Sequence, residues 1–161
     1  MTFEALYREH RDAVYGYVAG LLGDRQSAED VTALAFERAY RKRDSFRPGR
    51  GTPRVWLFGI ARNAALDELR RRRRQAPLVA DLPDESLAHP ADDADAAERR
   101  TAVSAALRAL PPREREIVAL KFAGGLTNAE LARVLGVSES NAGSLLHRAI
   151  TKLREACHVA S

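Results

Sequence analysis

The chain has 161 residues, of which 45% are hydrophobic and 6% aromatic, and its formal net charge is +4. Abundant helix formers and few aromatic residues favour an all-α protein over a β-sheet protein. The single cysteine excludes an internal disulfide. The sequence has no apolar run long enough to span a bilayer and no signal peptide, so we expect a cytoplasmic protein. The four histidines show no metal-ligand spacing, and no enzyme motif is present. We therefore expect a binding protein without catalysis, metal or cofactor.

Charge is distributed unevenly along the chain. Residues 1–74 contain 16 Lys and Arg against 10 Asp and Glu, residues 75–97 contain none against 6, and residues 98–161 contain 10 against 6. Basic blocks are typical of nucleic-acid binding. The acidic segment also contains three prolines, which interrupt helices. We therefore predict an amino-terminal helical bundle, residues 1–74, and a carboxy-terminal helix-turn-helix domain, residues 98–161, joined by an acidic flexible linker, 75–97.

Two helices are predicted at the start of the amino-terminal block. Apolar residues at steps of three and four predict a helix over roughly 2–22, ended by Gly23. Ser27, followed by two acids, is a candidate N-cap for a second helix over roughly 28–43. Its predicted inward positions are Val31, Leu34, Ala35, Ala39 and Tyr40.

A third helix is predicted after a loop rich in glycine and proline, residues 45–53. Thr52 followed by Pro53 is typical of a helix start, and the helix is expected to run to about Arg74. Within it, Asn63 and Asp67 are four residues apart and share a face. Five consecutive arginines, 70–74, cover all sides of the helix, so we expect only some of them to contact an anion and the rest to be solvated.

The carboxy-terminal block is predicted to begin with two helices. The first covers 98–110 and is ended by two prolines, and the second covers roughly 113–122 and ends near two glycines. These helices precede the stretch with the most specific spacing in the chain.

That stretch, 127–155, predicts a helix-turn-helix. Thr127 and Glu130 form a capping-box pattern for a short helix over 128–135, Gly136 suits a tight turn, and Ser138 caps a longer helix. The residues predicted to lie between the two helices are Leu131, Ala132, Leu135, Val137, Ala142 and Leu145. A plain helical hairpin is the alternative, but the cap, turn and apolar set together favour a motif whose second helix enters the major groove.

Three stretches of sequence also carry a family resemblance. They are "AEDVTALAFERAY" (28–40), "WLFGIARNAALDELRRRRR" (56–74) and "LPPREREIVALKFAGGLTNAELARVLGVSESNAGSLLHRAITKLRE" (110–155). In this order, with an acidic linker before the third, they resemble bacterial sigma factors of the extracytoplasmic-function (ECF) group. The resemblance implies a two-domain helical protein that binds core RNA polymerase, through the β′ coiled coil and the β subunit, and directs it to promoters. Such proteins are often held by an anti-sigma factor, so we expect a possible anti-sigma partner, and we expect no membrane partner.

The resemblance also implies roles for particular residues. The positions matching the polymerase-binding helix are Glu29, Asp30, Thr32 and Phe36, although Phe36 is equally well explained as a core residue. The positions matching the reader of the melted −10 element are Phe46, Arg47, Arg50, Arg62, Asn63, Asp67, Arg70, Arg71 and Arg74. For the −35 element they are Ser138, Ser140, Gly143, Ser144, His147 and Arg148. Surface solvation is the alternative for the polar members, and Trp56 is expected to be a core anchor. The linker resembles a connector that threads toward the polymerase channels, with a plain tether as the alternative.

Two departures from the family pattern affect these expectations. Ala33 and Leu34 stand where the polymerase-binding helix usually has a Gln-Glu pair, and Gly143 and Leu145 stand where the recognition helix usually has basic residues. We therefore expect altered −35 reading, and an exposed Leu145 would suit a protein partner. Two alternatives to a sigma factor follow, namely a stand-alone helix-turn-helix regulator and a sigma-like protein-interaction module.

Overall fold

The structure is a computed structural model that describes residues 2–75 and 94–159, and all regular structure within these ranges is helical. This confirms the all-α prediction. The seven α-helices of the described ranges are α1 (Phe3–Leu22), α2 (Arg25–Arg41), α3 (Pro53–Gln75), α4 (Ala94–Ala109), α5 (Pro112–Val118), α6 (Asn128–Leu135) and α7 (Glu139–Val159).

The caps of the first two helices are local hydrogen bonds. The Thr2 hydroxyl accepts the Ala5 N–H at 3.1 Å at the start of α1, and Gly23 ends the helix with a left-handed φ of 83°. The predicted N-cap of α2 is wrong, because the carboxylate of Asp24 accepts the Ser27 N–H at 2.8 Å. Asp24 therefore starts α2 three residues earlier than expected, and Ser27 lies within the first turn.

The buried side of α2 is narrower than its sequence suggested. Val31, Ala35 and Ala39 are buried, as predicted, but the side chains of Leu34 and Tyr40 are 36% and 49% exposed. The steps of four from 31 to 35 to 39 keep the first three on one line of the helix, and the other two lie beside it. The predictions that Leu34 and Tyr40 face the core are therefore wrong.

The third helix agrees with prediction. The Thr52 hydroxyl accepts the Val55 N–H at 3.2 Å, and Pro53 is the first helical residue. Trp56 is partly buried and packs against the core, which confirms its anchoring role, and its ring lies 5.6 Å from that of Phe46.

The predicted linker overlaps the start of α4. Its central part, 76–93, lies outside the described residues. Its last four residues, 94–97, belong to α4, so this helix begins four residues before the predicted start at 98. The physical reason is the composition of this end, which contains three alanines and no proline and therefore favours a helix.

The carboxy-terminal block contains the expected helix-turn-helix. The capping box of Thr127 and Glu130 is formed in both directions, and Gly136 has a left-handed φ of 70°. The Ser138 hydroxyl accepts the Asn141 N–H at 3.0 Å at the start of α7. The helix predicted over 113–122 is instead a short α5 followed by a π-helical turn, Ala119–Ala123.

The two blocks pack against each other. Their buried side chains form one continuous cluster, in which α1 contacts α5 and the π-helical turn, and α3 contacts α6. The contact with the turn is close, because a Cβ placed on Gly16 would lie 3.1 Å from the Cβ of Ala123. The division into domains at 1–74 and 98–161 stays a prediction, and in this conformation the two blocks share a core.

Candidate nucleic-acid interface

The loop before α3 presents one aromatic ring and two cations. Phe46 is half-buried against Trp56, whereas Arg47 and Arg50 are exposed. One terminal nitrogen of Arg47 donates to the backbone carbonyl of Asp44 at 3.1 Å, which fixes the side chain along the loop. The three predicted residues of the loop therefore lie close together at the start of α3, with both guanidinium groups open to solvent.

The polar face of α3 combines an exposed amide with an occupied carboxylate. Asn63 is exposed, as expected for a residue that reads bases. The two carboxylate oxygens of Asp67 accept from Arg38 of α2 at 3.2 Å and from Arg70 at 2.8 Å. Asp67 therefore orients two arginines and is not a free acceptor. Arg38 was not singled out from the sequence, because its partner is 29 residues away.

Arg62 is separated from the rest of the predicted −10 set. Its Nε donates to the Glu116 carboxylate at 3.0 Å, and its side chain is 28% exposed. The same carboxylate oxygen accepts the hydroxyl of Tyr17 at 2.9 Å. Arg62 thus faces the carboxy-terminal block in this conformation.

The five consecutive arginines divide into three kinds. Arg70 and Arg71 pair with acids one turn earlier, and Arg71 reaches Glu68 at 2.7 Å. Arg72 is structural, because it donates to the backbone carbonyl of Leu22 at 2.7 Å and pairs with Asp24. The remaining two, 73 and 74, are exposed and form no ion pair with any residue in the described ranges.

These contacts also perturb two carboxyl groups. Burial acts to raise the pKa of Asp24, but hydrogen bonds from Ser27 and Arg72 outweigh it and hold that pKa below its usual value. The hydrogen bond from Arg71 likewise lowers the pKa of Glu68. Both carboxylates are therefore charged at neutral pH and neutralise part of the arginine run, which concentrates free positive charge at residues 73 and 74.

The first turns of α7 carry the predicted −35 residues. The exposed members are Ser138, Ser140, Ser144, His147 and Arg148. Gly143 is half-buried, and a Cβ there would meet nothing within 4 Å. Leu145 is only 8% exposed, so the expectation that it serves a protein partner is wrong: it is part of the core between the helices. Hydroxyl, imidazole and guanidinium groups remain on the outward face, and all can reach base edges or phosphates.

The predicted polymerase-binding positions differ in exposure. Glu29 and Asp30 are exposed at the start of α2, and Thr32 is half-buried with a hydroxyl that has no hydrogen-bond partner among the described residues. Phe36 is 5% exposed, with its ring centre 4.9 Å from that of Tyr7. The structure therefore supports a core role for Phe36 and leaves the two acids as the accessible members of the set.

Two structural features are absent from the described residues. No helix there is long and apolar enough to cross a membrane. No group of His, Cys, Asp and Glu within the same ranges could hold a metal ion.

Two regions of this chain match models of known protein families. The family model of sigma-70 region 2 matches residues 6–75, and that of sigma-70 region 4 matches residues 100–153. The first covers the loop and α3 with the basic face described above, and the second covers the helix-turn-helix. The two regions occur in the same order as the two basic blocks.

Individual proteins show the same likeness over nearly the whole chain. The ECF RNA polymerase sigma factor BldN of Streptomyces coelicolor is 34% identical over 94% of this chain and 59% of its own length. SigL of Mycobacterium tuberculosis, also an ECF sigma factor, is 32% identical over 93% of this chain and 85% of its own length. The chain thus spans less than two thirds of BldN but most of SigL.

A solved structure has the same arrangement of helices. The sigma factor RpoE from Bartonella quintana, crystallised in complex with the anti-sigma factor NepR, superposes with a TM-score of 0.81 at 25% identity. The match covers 99% of this chain and 98% of RpoE. The packing of the two helical blocks is therefore shared with a protein whose crystal contains a bound protein partner.

Proposed function

The chain belongs to the sigma-70 family, in the ECF group of bacterial RNA polymerase sigma factors, and on that premise we propose that it binds core RNA polymerase and directs it to specific promoters. The single observation that carries the proposal is the order of its parts. Region 2 and region 4 match 6–75 and 100–153, and each contains an exposed basic or polar face suited to DNA. A stand-alone helix-turn-helix regulator would leave the first of these regions without a role.

We assign the −10 element to the amino-terminal half. In this proposal the exposed Asn63 and the loop cations Arg47 and Arg50 hold an unstacked strand, and the half-buried Phe46 supplies an aromatic ring beside it. Arg70 and Arg74 extend the positive charge along α3, where they would contact phosphates and add affinity rather than sequence choice.

We assign the −35 element to α7. Its exposed serines, with His147 and Arg148, replace the basic pattern usual in the family, so we expect base reading through hydroxyl and imidazole groups. Gly143 leaves open space on this face, and the backbone can approach DNA closely there.

Core polymerase is proposed to dock on α2. Glu29 and Asp30 offer exposed carboxylates at the start of that helix, and Leu34 stays exposed one turn later. The chain would act in the cytoplasm and would supply no chemistry of its own, because the polymerase carries the catalytic site. An anti-sigma factor is a further proposed partner, since RpoE was crystallised with one.

Run-off transcription tests the proposal. Core polymerase alone, the chain alone and the two together would be incubated with the DNA upstream of the chain's own gene. A transcript of defined length that requires both proteins is expected. Tight binding of the chain to duplex DNA without polymerase, and no transcript with it, would contradict the proposal and favour a stand-alone regulator. A variant with Asp30→Asn should lose part of its affinity for core, and Glu98→Gln, on α4, serves as its control for the loss of one negative charge.

A further inference from the structure

A buried carboxylate joins the two halves of the protein. Glu116 of α5 is 4% exposed. One of its oxygens accepts the Tyr17 hydroxyl of α1 at 2.9 Å and the Arg62 Nε of α3 at 3.0 Å. Burial and the neighbouring carboxylate raise the pKa of the Tyr17 phenol well above its usual value, so the phenol stays a donor. Both amino-terminal partners are therefore engaged by one residue of the carboxy-terminal block.

Further polar contacts close the same junction. Arg115, next to that carboxylate in α5, donates to the backbone carbonyl of Gly20 at 2.9 Å. Arg54, at the start of α3, donates to the carbonyl of Gly125 and lies 3.4 Å from the Glu130 carboxylate. Cations from both halves therefore bond across the junction, and the halves are held in one relative position.

The helices at the junction approach closely because α1 presents glycines. A Cβ on Gly16 would lie 3.1 Å from that of Ala123, and one on Gly20 would lie 3.2 Å from that of Ala119. These distances are too short for an added side chain without movement of the neighbouring helix. A larger residue at either glycine would therefore separate the halves. The residues that form the polar contacts would all still be present.

We call the conformation in which the two halves are packed together closed. In it the protein cannot contact both promoter elements at once. Elements centred about 25 base pairs apart are separated by about 85 Å at roughly 3.4 Å per base pair. A compact chain of this length has a radius of gyration of about 15 Å, and hence a diameter of about 40 Å. The junction must therefore open before α3 and α7 can contact their separate DNA sites.

We propose that in the closed chain the Glu116 carboxylate binds the Arg62 guanidinium group in place of a DNA phosphate. Closure of the junction and binding of the melted strand therefore exclude each other. The inference rests on the proposed function, because that function makes α3 the strand-binding helix. Carboxylate and phosphate oxygens are both anionic acceptors for a guanidinium group. Arg62 is one of the predicted −10 residues and is bound by Glu116 in this conformation, so opening would free its guanidinium group for the strand.

Two variants of the full chain test this by different routes. Glu116→Gln keeps the side-chain shape and removes the charge that holds Arg62. Gly16→Leu separates the halves by size, at a helical position where leucine is preferred to glycine. Glu98→Gln, at an exposed site on α4, is the control for the loss of one negative charge.

Strand affinity and molecular size are measured together. The probe is a fluorescein-labelled single strand of about twenty thymidines, long enough to follow one binding groove, and size is read from small-angle X-ray scattering. We expect about tenfold tighter strand binding by Glu116→Gln, the effect of losing one charge-assisted contact, against less than about twofold for the control. Gly16→Leu should also bind more tightly and should show a larger radius of gyration.

The outcomes separate this inference from the proposed function. If Glu116→Gln binds the strand no better than Glu98→Gln, and Gly16→Leu expands the chain without tighter binding, the inference is overturned. Run-off transcription by core polymerase with the wild-type chain is scored independently of these affinities. Its failure would overturn the proposed function, and its success beside unchanged strand affinities would overturn only the role of Glu116.

Discussion

The arginine run offers a sharp prediction, because neighbouring arginines have different partners. Arg72→Ala removes the hydrogen bond to the Leu22 carbonyl and the pair with Asp24. A hydrogen bond to a charged group contributes roughly 1.5–3 kcal/mol. Because the two side chains are 33% and 30% exposed, solvent screening reduces the expected loss of unfolding free energy to about 1–2 kcal/mol. For a chain of this size the melting temperature should fall by about 2–8 °C.

The matched variant is Arg74→Ala, whose side chain is exposed and has no ion pair in the described ranges. Its stability should change by no more than about 0.5 kcal/mol. In the complex with core polymerase and promoter DNA, however, the slope of log affinity against log salt should fall by about 0.7–0.9 for the one lost phosphate contact. Thermal melting followed by circular dichroism measures the first quantity, and a salt titration measures the second.

The effect of Arg72→Ala should also depend on pH. The folded protein lowers the pKa of Asp24 from 3.8, so the contribution of this carboxylate is fully present above that value and is lost as the pH falls through the lowered pKa. The difference in melting temperature between wild type and variant should therefore narrow in acid. If Arg72→Ala melted like wild type and reduced the salt slope as Arg74→Ala does, the structural assignment of Arg72 would be refuted.

Four other substitutions test the recognition surfaces and the helix-turn-helix. Asn63→Ala should change base preference within the −10 element, measured on a library of promoters, and an equal loss on all promoters would contradict base reading. Gly143→Ala should stabilise the protein by up to about 1 kcal/mol, because the site is helical and open. Gly136→Ala should destabilise it by about 1 kcal/mol or more, because φ is 70°; equal melting temperatures for the two alanine variants would contradict this. Leu145→Ala should lower the free energy of unfolding, measured by chemical denaturation, by about 2–5 kcal/mol. A change near zero would contradict the burial of Leu145.

Much of the fold follows from local chemistry. The capping box at Thr127, the left-handed glycines at 23 and 136 and the proline at the start of α3 act over a few residues, and each was recognisable in the sequence. The N-cap of α2 failed for a reason of the same kind. Ser27 was the predicted cap, but Asp24, three residues earlier, has the extended backbone of an N-cap and accepts the Ser27 N–H.

The errors in burial arise where two positions flank a helical stripe. Leu34 and Tyr40 are apolar and fall close to the buried line of α2, yet both are exposed. Two expectations were stated for Leu145, one between the helices and one at the surface. Because α7 packs against α6, Leu145 is buried between the helices. Periodicity fixes a helix face to within about one residue and cannot determine which edge of that face the neighbouring helix covers.

The residues of the candidate site were predicted from the sequence, but their ion-pair partners in other helices were not. The bonds from Arg70 and Arg71 to acids three residues earlier follow from helical spacing. The bonds of Arg62 to Glu116 and of Arg72 to Asp24 span 54 and 48 residues. No periodic pattern encodes such pairs, because they depend on how the finished helices pack.

The central claim is that the basic face of the amino-terminal half holds a melted DNA strand while the polymerase performs the chemistry. Permanganate reactivity of promoter thymines measures strand opening directly. Thymines near the −10 element should become reactive only when core polymerase and the chain are both present, and Asn63→Ala should reduce that reactivity. A bound polymerase complex whose thymines stayed unreactive would contradict the account.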